Sequence, residues 1–546
     1  MTSFEIFFIH SLDKVLPYRR PEMLQNPVLT GFCGETCSVQ LAYTCNNDDF
    51  GNSSTLFYVE VISSIADAVR IRKVALVPCN YPCHGTWDDD YLDTRPGLYP
   101  DLLLPAESGT PIKAIPAQWR SLWIDVDAQP GLHQVTLRVT DAENRKITTL
   151  EFAIRVLDEQ LPEQTLIHTQ WFHGDCLADY FHIPVFSEEH WRILRNFMES
   201  AVRHGINTIL TPIFTPPLDT ARGGERTTIQ LVKVYQDQGV YRFDFSLLER
   251  WIRLCDECGI RYLEMAHLFT QWGAVFAPKI FVSVDGGEET KLFGWHTAAT
   301  SCEYAEFLRC FLPALKDFLR TKGWLEKTFF HISDEPHARE LETYTAARGI
   351  VRDLLADCKV MDALSSYPVY QTGVIQRPIV SVDQIHPFLD AGVPHLWAYY
   401  CTVQAIDVPN RFIAMPSTRN RILGTLLYYY NIEGFLHWGF NFYNSQFSLR
   451  HIDPYQVTDA GEAFPSGDPF LVYPASDGSA YDSIRGMVLR QALDDLRALQ
   501  YLEAVIGRAE VIKLIEKHAG GRITFTQYPR PKRFFDDLRR DVMKLI

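Results

Sequence analysis

The residues best suited to chemistry stand together at His331-Ile332-Ser333-Asp334-Glu335-Pro336-His337. Two adjacent carboxylates supply what acid/base work needs, one group to hold a proton and a second charge to raise its pKa. Phe329 and Phe330 precede them as the body of a strand, and Ala338-Arg339-Glu340 opens a helix behind them. Pro336 disfavours the helical region at Glu335, so extended backbone is expected there, presenting both acids to one substrate from different directions. The plain alternative is capping, with Ser333 or Asp334 satisfying free N–H groups at the next helix start. An acid pair between two histidines, followed by proline, favours a site.

Other candidates fall at the ends of further strands. Trp171, His173 and Asp175 follow a first strand, Asn207 lies on a second, and His267, Gln271 and Trp272 follow a third. Tyr367 and Tyr370 follow a fifth, Asp383 lies on a sixth, Trp397, Tyr399 and Tyr400 lie on or after a seventh, and Trp438, Asn441 and Tyr443 follow an eighth. Each aromatic alone reads as packing; gathered with amides and acids around one mouth they read as a sugar pocket. His331 and His337 either tune the acid pair or are satisfied structural histidines. Asp383 either binds a hydroxyl or anchors a loop.

Metal is the rival chemistry, since His173, His267, His331, Asp334 and Glu335 form a zinc-compatible donor set. No H-E-x-x-H or H-x-H pattern fixes them at coordination distance, so the reading takes no metal and no cofactor. Cys33 and Cys37 with Cys79 and Cys83 are a weaker zinc candidate, because both spacings are C-x3-C. Cys255 and Cys258 follow helical spacing with Trp251 and Leu254 and read as buried thiols. The Gly223-Gly224 and Gly286-Gly287 stretches lack a phosphate-loop context and read as turns or lids.

The elements that must position these groups change rhythm along the chain. Residues 1–160 carry short runs that alternate apolar and polar side chains, such as Arg120 to Val126 and Gly131 to Val139. That pattern predicts a β-sandwich. The Pro78 to Pro111 segment is too long for a hairpin and is expected to pack against the next domain. Residues 161–475 alternate strand and helix eight times, which predicts a closed (β/α)8 TIM barrel with the acid pair at the C-terminal mouth of strand four. An open doubly wound sheet loses ground because no glycine-rich dinucleotide loop follows the first strand. Residues 476–546 read as a mainly helical C-terminal extension packed on the barrel.

Composition closes off other classes. The 546 residues carry a formal net charge of -15, which repels phosphate backbones, so nucleic acid is not an expected partner. Hydrophobic residues make up 47%, enough for a large core, and aromatics 13%, in keeping with sugar platforms. No signal-like or membrane-length apolar segment is visible, so the expected setting is cytoplasmic, without a membrane partner. The sequence leaves a homo-oligomer open.

The order of several short motifs resembles glycoside hydrolase family 123 and its wider superfamily of related domains. These are Gly97-Leu98-Tyr99-Pro100-Asp101, Ser333-Asp334-Glu335-Pro336, Asp383, Trp397-Ala398-Tyr399-Tyr400-Cys401, Arg421, Gly434-Phe435-Leu436-His437-Trp438, Tyr473-Pro474, Asp477-Gly478 and Ile484-Arg485. The resemblance implies exo-hydrolysis of β-linked N-acetylgalactosamine by a substrate-assisted retaining mechanism. It implies Glu335 as general acid/base and Asp334 as the residue orienting the 2-acetamido group, with Tyr367 or Tyr370 as a donor to the acetamido oxygen. The implied partner is a small oligosaccharide or glycoconjugate. A related hydrolase of different sugar specificity, or a carbohydrate-binding protein without hydrolysis, is the alternative.

Overall fold

The computed structural model describes residues 3–46, 55–106, 109–336 and 338–546. The chain forms two compact units, one of Met1–Glu163, Asn410–Tyr429 and Tyr481–Ile546, the other of Gln164–Pro409 and Tyr430–Ala480. This differs from the division at 160 and 475 read from sequence, because two later helical segments gather with the N-terminal strands.

The first unit contains two five-stranded sheets. One runs Ser3–Ile9, Cys37–Asn46, Arg120–Val126, Val69–Cys79, Gly97–Pro105 in spatial order; the other runs Val28–Cys33, Lys146–Gln160, Gly131–Asp141, Leu56–Ile62, Ile112–Lys113. Alternation decides what is buried: Val135, Leu137 and Val139 point inward from one sheet and pack with Leu41, Leu122 and Ile124 of the other. The segment expected as a long loop holds the edge strand Gly97–Pro105, because Tyr99, Leu102 and Leu103 have an apolar face to bury. Its Asp101 accepts from Arg485 Nε at 2.9 Å and Nη2 at 2.8 Å, both residues fully buried. Asp88 pairs with buried Arg419 at 2.7 Å. These pairs tie the strands to the helices Ser417–Tyr429 and Ile484–Ile506 of the same unit.

None of the twelve cysteines is joined in a disulfide. No three of Cys33, Cys37, Cys79 and Cys83 come to shared ligand distance. Cys255 and Cys258 are buried on the helix Ser246–Cys258.

The second unit is a closed barrel of eight parallel strands: β1 (Ile167–Gln170), β2 (Thr208–Thr211), β3 (Tyr262–Met265), β4 (Thr328–Phe330), β5 (Lys359–Ala363), β6 (Arg377–Ser381), β7 (Trp397–Tyr399) and β8 (Gly434–His437). Most connections carry full helices, such as Glu188–Arg203 and Cys302–Thr321, but β5 and β6 are followed only by the short helices Tyr367–Tyr370 and His386–Asp390. Insertions after β2 and β3 pair into a four-stranded accessory sheet, in which Gly286 and Gly287 make the turn between Ile280–Val284 and Glu289–Phe293. No described helix is long and apolar enough to cross a membrane.

Trp397, expected in the pocket, fills the barrel interior, with its ring 5.2 Å from that of Phe329. Gly434 makes room for it: a Cβ there would lie 2.2 Å from the indole. Close approach is equally strict at Gly424, where a Cβ would lie 1.7 Å from the Ala492 carbonyl oxygen. Gly424→Ala should therefore destabilise the protein by about 1–3 kcal/mol, since backbone cannot step aside as a side-chain tip does. Gly349→Ala, in a helix with nothing within 4 Å of the new methyl, should stabilise by about 0.5–1 kcal/mol. Denaturant melts of the two variants check the opposite signs.

Candidate active site

β4 ends at Phe330, and the chain then runs beside the segment that follows β3. Leu268 and Phe269 donate their N–H groups to the His331 and Ile332 carbonyls at 3.2 and 3.0 Å, and Trp272 N–H donates to the Asp334 carbonyl at 3.0 Å. Ser333 Oγ donates to the Thr270 carbonyl at 2.8 Å. These bonds hold the chain in place while it turns, so Glu335 takes a left-handed φ of +44° in place of the extended backbone expected before proline. A non-glycine residue held there stores strain that the surrounding bonds must sustain. Neither acid caps the α-helix Leu341–Val351, which begins after Glu340 without a side-chain cap. The Tyr399 hydroxyl donates to Glu335 Oε1 and lies 3.0 Å from Ser365 Oγ.

Beneath the pair is a buried charge relay. His331 Nε2 lies 2.7 Å from Glu264 Oε1 and its Nδ1 3.0 Å from Asp362 Oδ1, all three side chains being enclosed. Burial alone would push the imidazole pKa down, but the two carboxylates outweigh it and raise it to about 10, so His331 is an imidazolium at neutral pH. Glu264 is held further by Thr169 and by Trp171 Nε1 at 2.8 Å, and Asp362 by the Tyr344 hydroxyl and the Ile332 N–H at 3.0 Å. Asp334 has its pKa raised well above the carboxylate range by burial and then by the Glu335 charge, with the His331 cation opposing.

His267 stacks on His331 with ring centroids 4.3 Å apart and planes 18° from parallel. Burial and the neighbouring cation keep it neutral, far below its usual pKa. His267, His331 and Asp362 bring ligand atoms within 4.8 Å of one another. Near-parallel rings, however, aim their in-plane lone pairs side by side, and both His331 nitrogens already face carboxylates, so the trio does not fit a metal ion. His173 is committed too, its Nε2 donating to the Trp438 carbonyl at 3.0 Å and its Nδ1 accepting from Arg226 at 3.1 Å. Its pKa falls to about 3 through burial and the Arg226 charge.

Asp334 and Glu335 open onto a cavity of about 140 Å³ whose wall includes Trp171, Trp272, Tyr399 and Trp438. His173 also borders it. Several other expected contacts do structural work. Asn207 sits at the N-terminal approach to β2, bonding the His168 N–H and Leu166 carbonyl. Asn441 exchanges two hydrogen bonds with the His173 backbone. Asp175 forms a buried ion pair with Arg226 at 2.8 Å. Tyr443 donates to the Val472 carbonyl. Tyr367 and Tyr370 pack on Phe388, and neither borders the cavity; the tyrosine beside the acid pair is Tyr399. Asp383 accepts from Gln404 at 3.1 Å, which anchors the loop after β7. His337 lies outside the described residues.

Sequence reasoning missed Asp219, which borders the cavity from the connection after β2. It also missed Glu264 and Asp362, although an acid inside an apolar barrel strand is itself a signal, since a buried charge needs a partner.

The glycoside hydrolase 123 catalytic domain matches residues 171–502. A solved family 123 glycoside hydrolase from Clostridium perfringens, described for glycolipid glycan hydrolysis, aligns over 100% of this chain and 97% of its own with TM-score 0.71 and 17% identity. β-Glucuronidase 3 of Bacteroides uniformis aligns over 90% of this chain and 52% of its own at TM-score 0.31 and 11% identity. Comparison with curated protein sequences gives no match.

Because folding raises the Asp334 pKa, the folded state keeps a proton that the unfolded chain releases above 3.8. Stability from this residue is complete below that value and is lost as pH rises toward the folded pKa. Asp334→Asn, which cannot ionise, should melt about a few degrees above the parent at pH 7, with the gap closing toward pH 4. Thermal melts across that range check it; an equal or lower melting point at pH 7 removes the argument.

Proposed function

The chain belongs to glycoside hydrolase family 123, and from that premise we propose that it releases terminal β-linked N-acetylhexosamine, N-acetylgalactosamine above its gluco epimer, by substrate-assisted retaining hydrolysis. The observation that carries the reading is the adjacent Asp334–Glu335 pair facing one aromatic-walled cavity at the end of β4. A substrate-assisted route needs no carboxylate on the far face of the ring, so the pair need not flank it as the two carboxylates of the ordinary retaining scheme do. One reaches the glycosidic oxygen, and the other is left to serve the ring substituent.

In this mechanism Glu335 protonates the leaving oxygen while the 2-acetamido carbonyl attacks C1, forming an oxazolinium-like intermediate. The adjacent acids hold one proton between them; when it sits on Glu335 for transfer, Asp334 is the carboxylate that accepts the acetamido N–H and balances the positive charge that develops on the ring. Glu335 then takes a proton from water as it opens the intermediate, so stereochemistry is retained. Tyr399 fixes the Glu335 carboxyl in reach; burial and the Glu335 charge push its phenol pKa well above the usual range, so it stays a donor throughout. Trp171, Trp272 and Trp438 offer ring faces to apolar sugar surfaces. The proposed substrate is a small oligosaccharide or glycoconjugate handled in the cytoplasm by a (β/α)8 enzyme that uses no cofactor.

Glu335→Gln should lower kcat by about 10²- to 10⁴-fold with the fold intact, because volume is kept and proton transfer is lost. Steady-state hydrolysis of an aryl β-N-acetylgalactosaminide together with a melting curve tests this. On the same assay the wild-type protein should turn over the acetamido substrates and leave a plain aryl β-galactoside essentially untouched. Comparable rates on both would end the substrate-assisted reading even with Glu335 essential.

A further inference from the structure

We propose that Asp219 and Gln271 form a hydroxyl-reading pair in this cavity, fixing one ring position of the bound pyranose. The proposal rests on the glycosidase reading above and adds to it the residues that set specificity.

Asp219 is held on every side but one. Its N–H donates to Gln271 Oε1, its carbonyl accepts from Ser448 Oγ at 2.7 Å, and its Oδ2 accepts from the Phe447 N–H at 3.1 Å. Its backbone is left-handed, with φ +40°. A strained non-glycine residue, pinned by connections after β3 and β8, has its side chain aimed with little freedom. The remaining oxygen, Oδ1, receives no donor among the described residues. Burial raises the carboxyl pKa to about 6, with the Phe447 N–H and Arg226 opposing, so it is ionised at neutral pH and accepts only.

Gln271 supplies the complement. Because Oε1 takes the Asp219 N–H, the amide orientation is fixed and Nε2 is the free end. That Nε2 is buried without an acceptor, on a side chain only 7% exposed that borders the same cavity. A buried donor left unmet is costly, and structures seldom keep one without a ligand or water to meet it. One acceptor and one donor are thus left over on neighbouring side chains. A hydroxyl satisfies both at once, donating to Asp219 and accepting from Gln271. An anion would be repelled by Asp219, and an ammonium would leave Gln271 unmet. Trp272, the next residue, is 40% exposed with φ +57° and borders the cavity beside them, offering the flat apolar surface a pyranose needs.

The test is kcat/KM for the full-length wild type, Asp219→Asn and Gln271→Leu on an aryl β-N-acetylgalactosaminide and its 3-, 4- and 6-deoxy analogues. Asp219→Asn keeps an acceptor for the Phe447 N–H, and melting curves verify both folds; Gln271→Leu carries the test if Asp219→Asn is unstable. Wild type should lose about ten- to a hundredfold on deletion of one particular hydroxyl. Each variant should lose about as much on the parent sugar and then be indifferent to that same deletion, the non-additivity of groups in contact. Variants that keep wild-type kcat/KM, or keep the full deoxy penalty, overturn the pair while leaving the glycosidase reading standing. A uniform collapse on all four substrates, with azide restoring turnover of Asp219→Asn as a glycosyl azide, would make Asp219 a nucleophile and also overturn it. A wild type inactive on the parent sugar sinks the glycosidase reading and the pair with it.

Discussion

The imidazolium of His331, clamped between Glu264 and Asp362 inside the barrel, is the interaction on which the candidate site depends. A charge taken out of water must be paired and hydrogen-bonded, or it neutralises. Three barrel strands meet that requirement together. Glu264 comes from β3, Asp362 from β5, and His331 follows β4 between them. Pairing them fixes the register of the strand ends, and the Ile332 N–H on Asp362 extends the lock to the turn that carries Asp334 and Glu335. The arrangement has an electrostatic result as well as a geometric one. The relay sets a cation directly beneath two adjacent carboxylates while its own two anions oppose that cation, so Asp334 stays strongly perturbed.

Around this floor the walls are made by strain and by aromatics. Asp219, Trp272 and Glu335 border the cavity with left-handed backbones, and Phe447, also left-handed, anchors Asp219 through its N–H. None is glycine, so each conformation persists because neighbouring hydrogen bonds over-determine it. The pattern matches a pocket in which side-chain direction matters more than local stability. The other unit spends its buried charge differently: Arg485–Asp101 and Arg419–Asp88 join elements far apart in sequence, where the benefit is specificity of packing.

Periodicity carried much of the architecture, because strand and helix leave different spacings of apolar residues. The alternation in Gly131 to Val139 marks an inward face whatever the partner, and eight strand–helix alternations suit a closed barrel. The acid pair was legible for a related reason. Charges placed straight after the apolar Phe329-Phe330 must emerge at a strand end. What periodicity does not encode is which residues from distant segments meet. Trp397 and Tyr399 sit two apart on β7, yet one fills the barrel and the other bonds Glu335, and only the positions of Gly434 and of the β4 exit decide which does which.

Sequence alone therefore determined the residue types available and the ends of the elements that display them, since both follow from local sterics and burial. The tertiary structure decided the roles. It spent Asn207, Asn441 and Asp175 on backbone and ion-pair bonds, and it brought Asp219 beside Gln271, 52 residues apart, through a connection whose path no local propensity specifies. A side chain's chemistry depends on what it faces, and facing is a long-range contact, fixed only when the barrel closes.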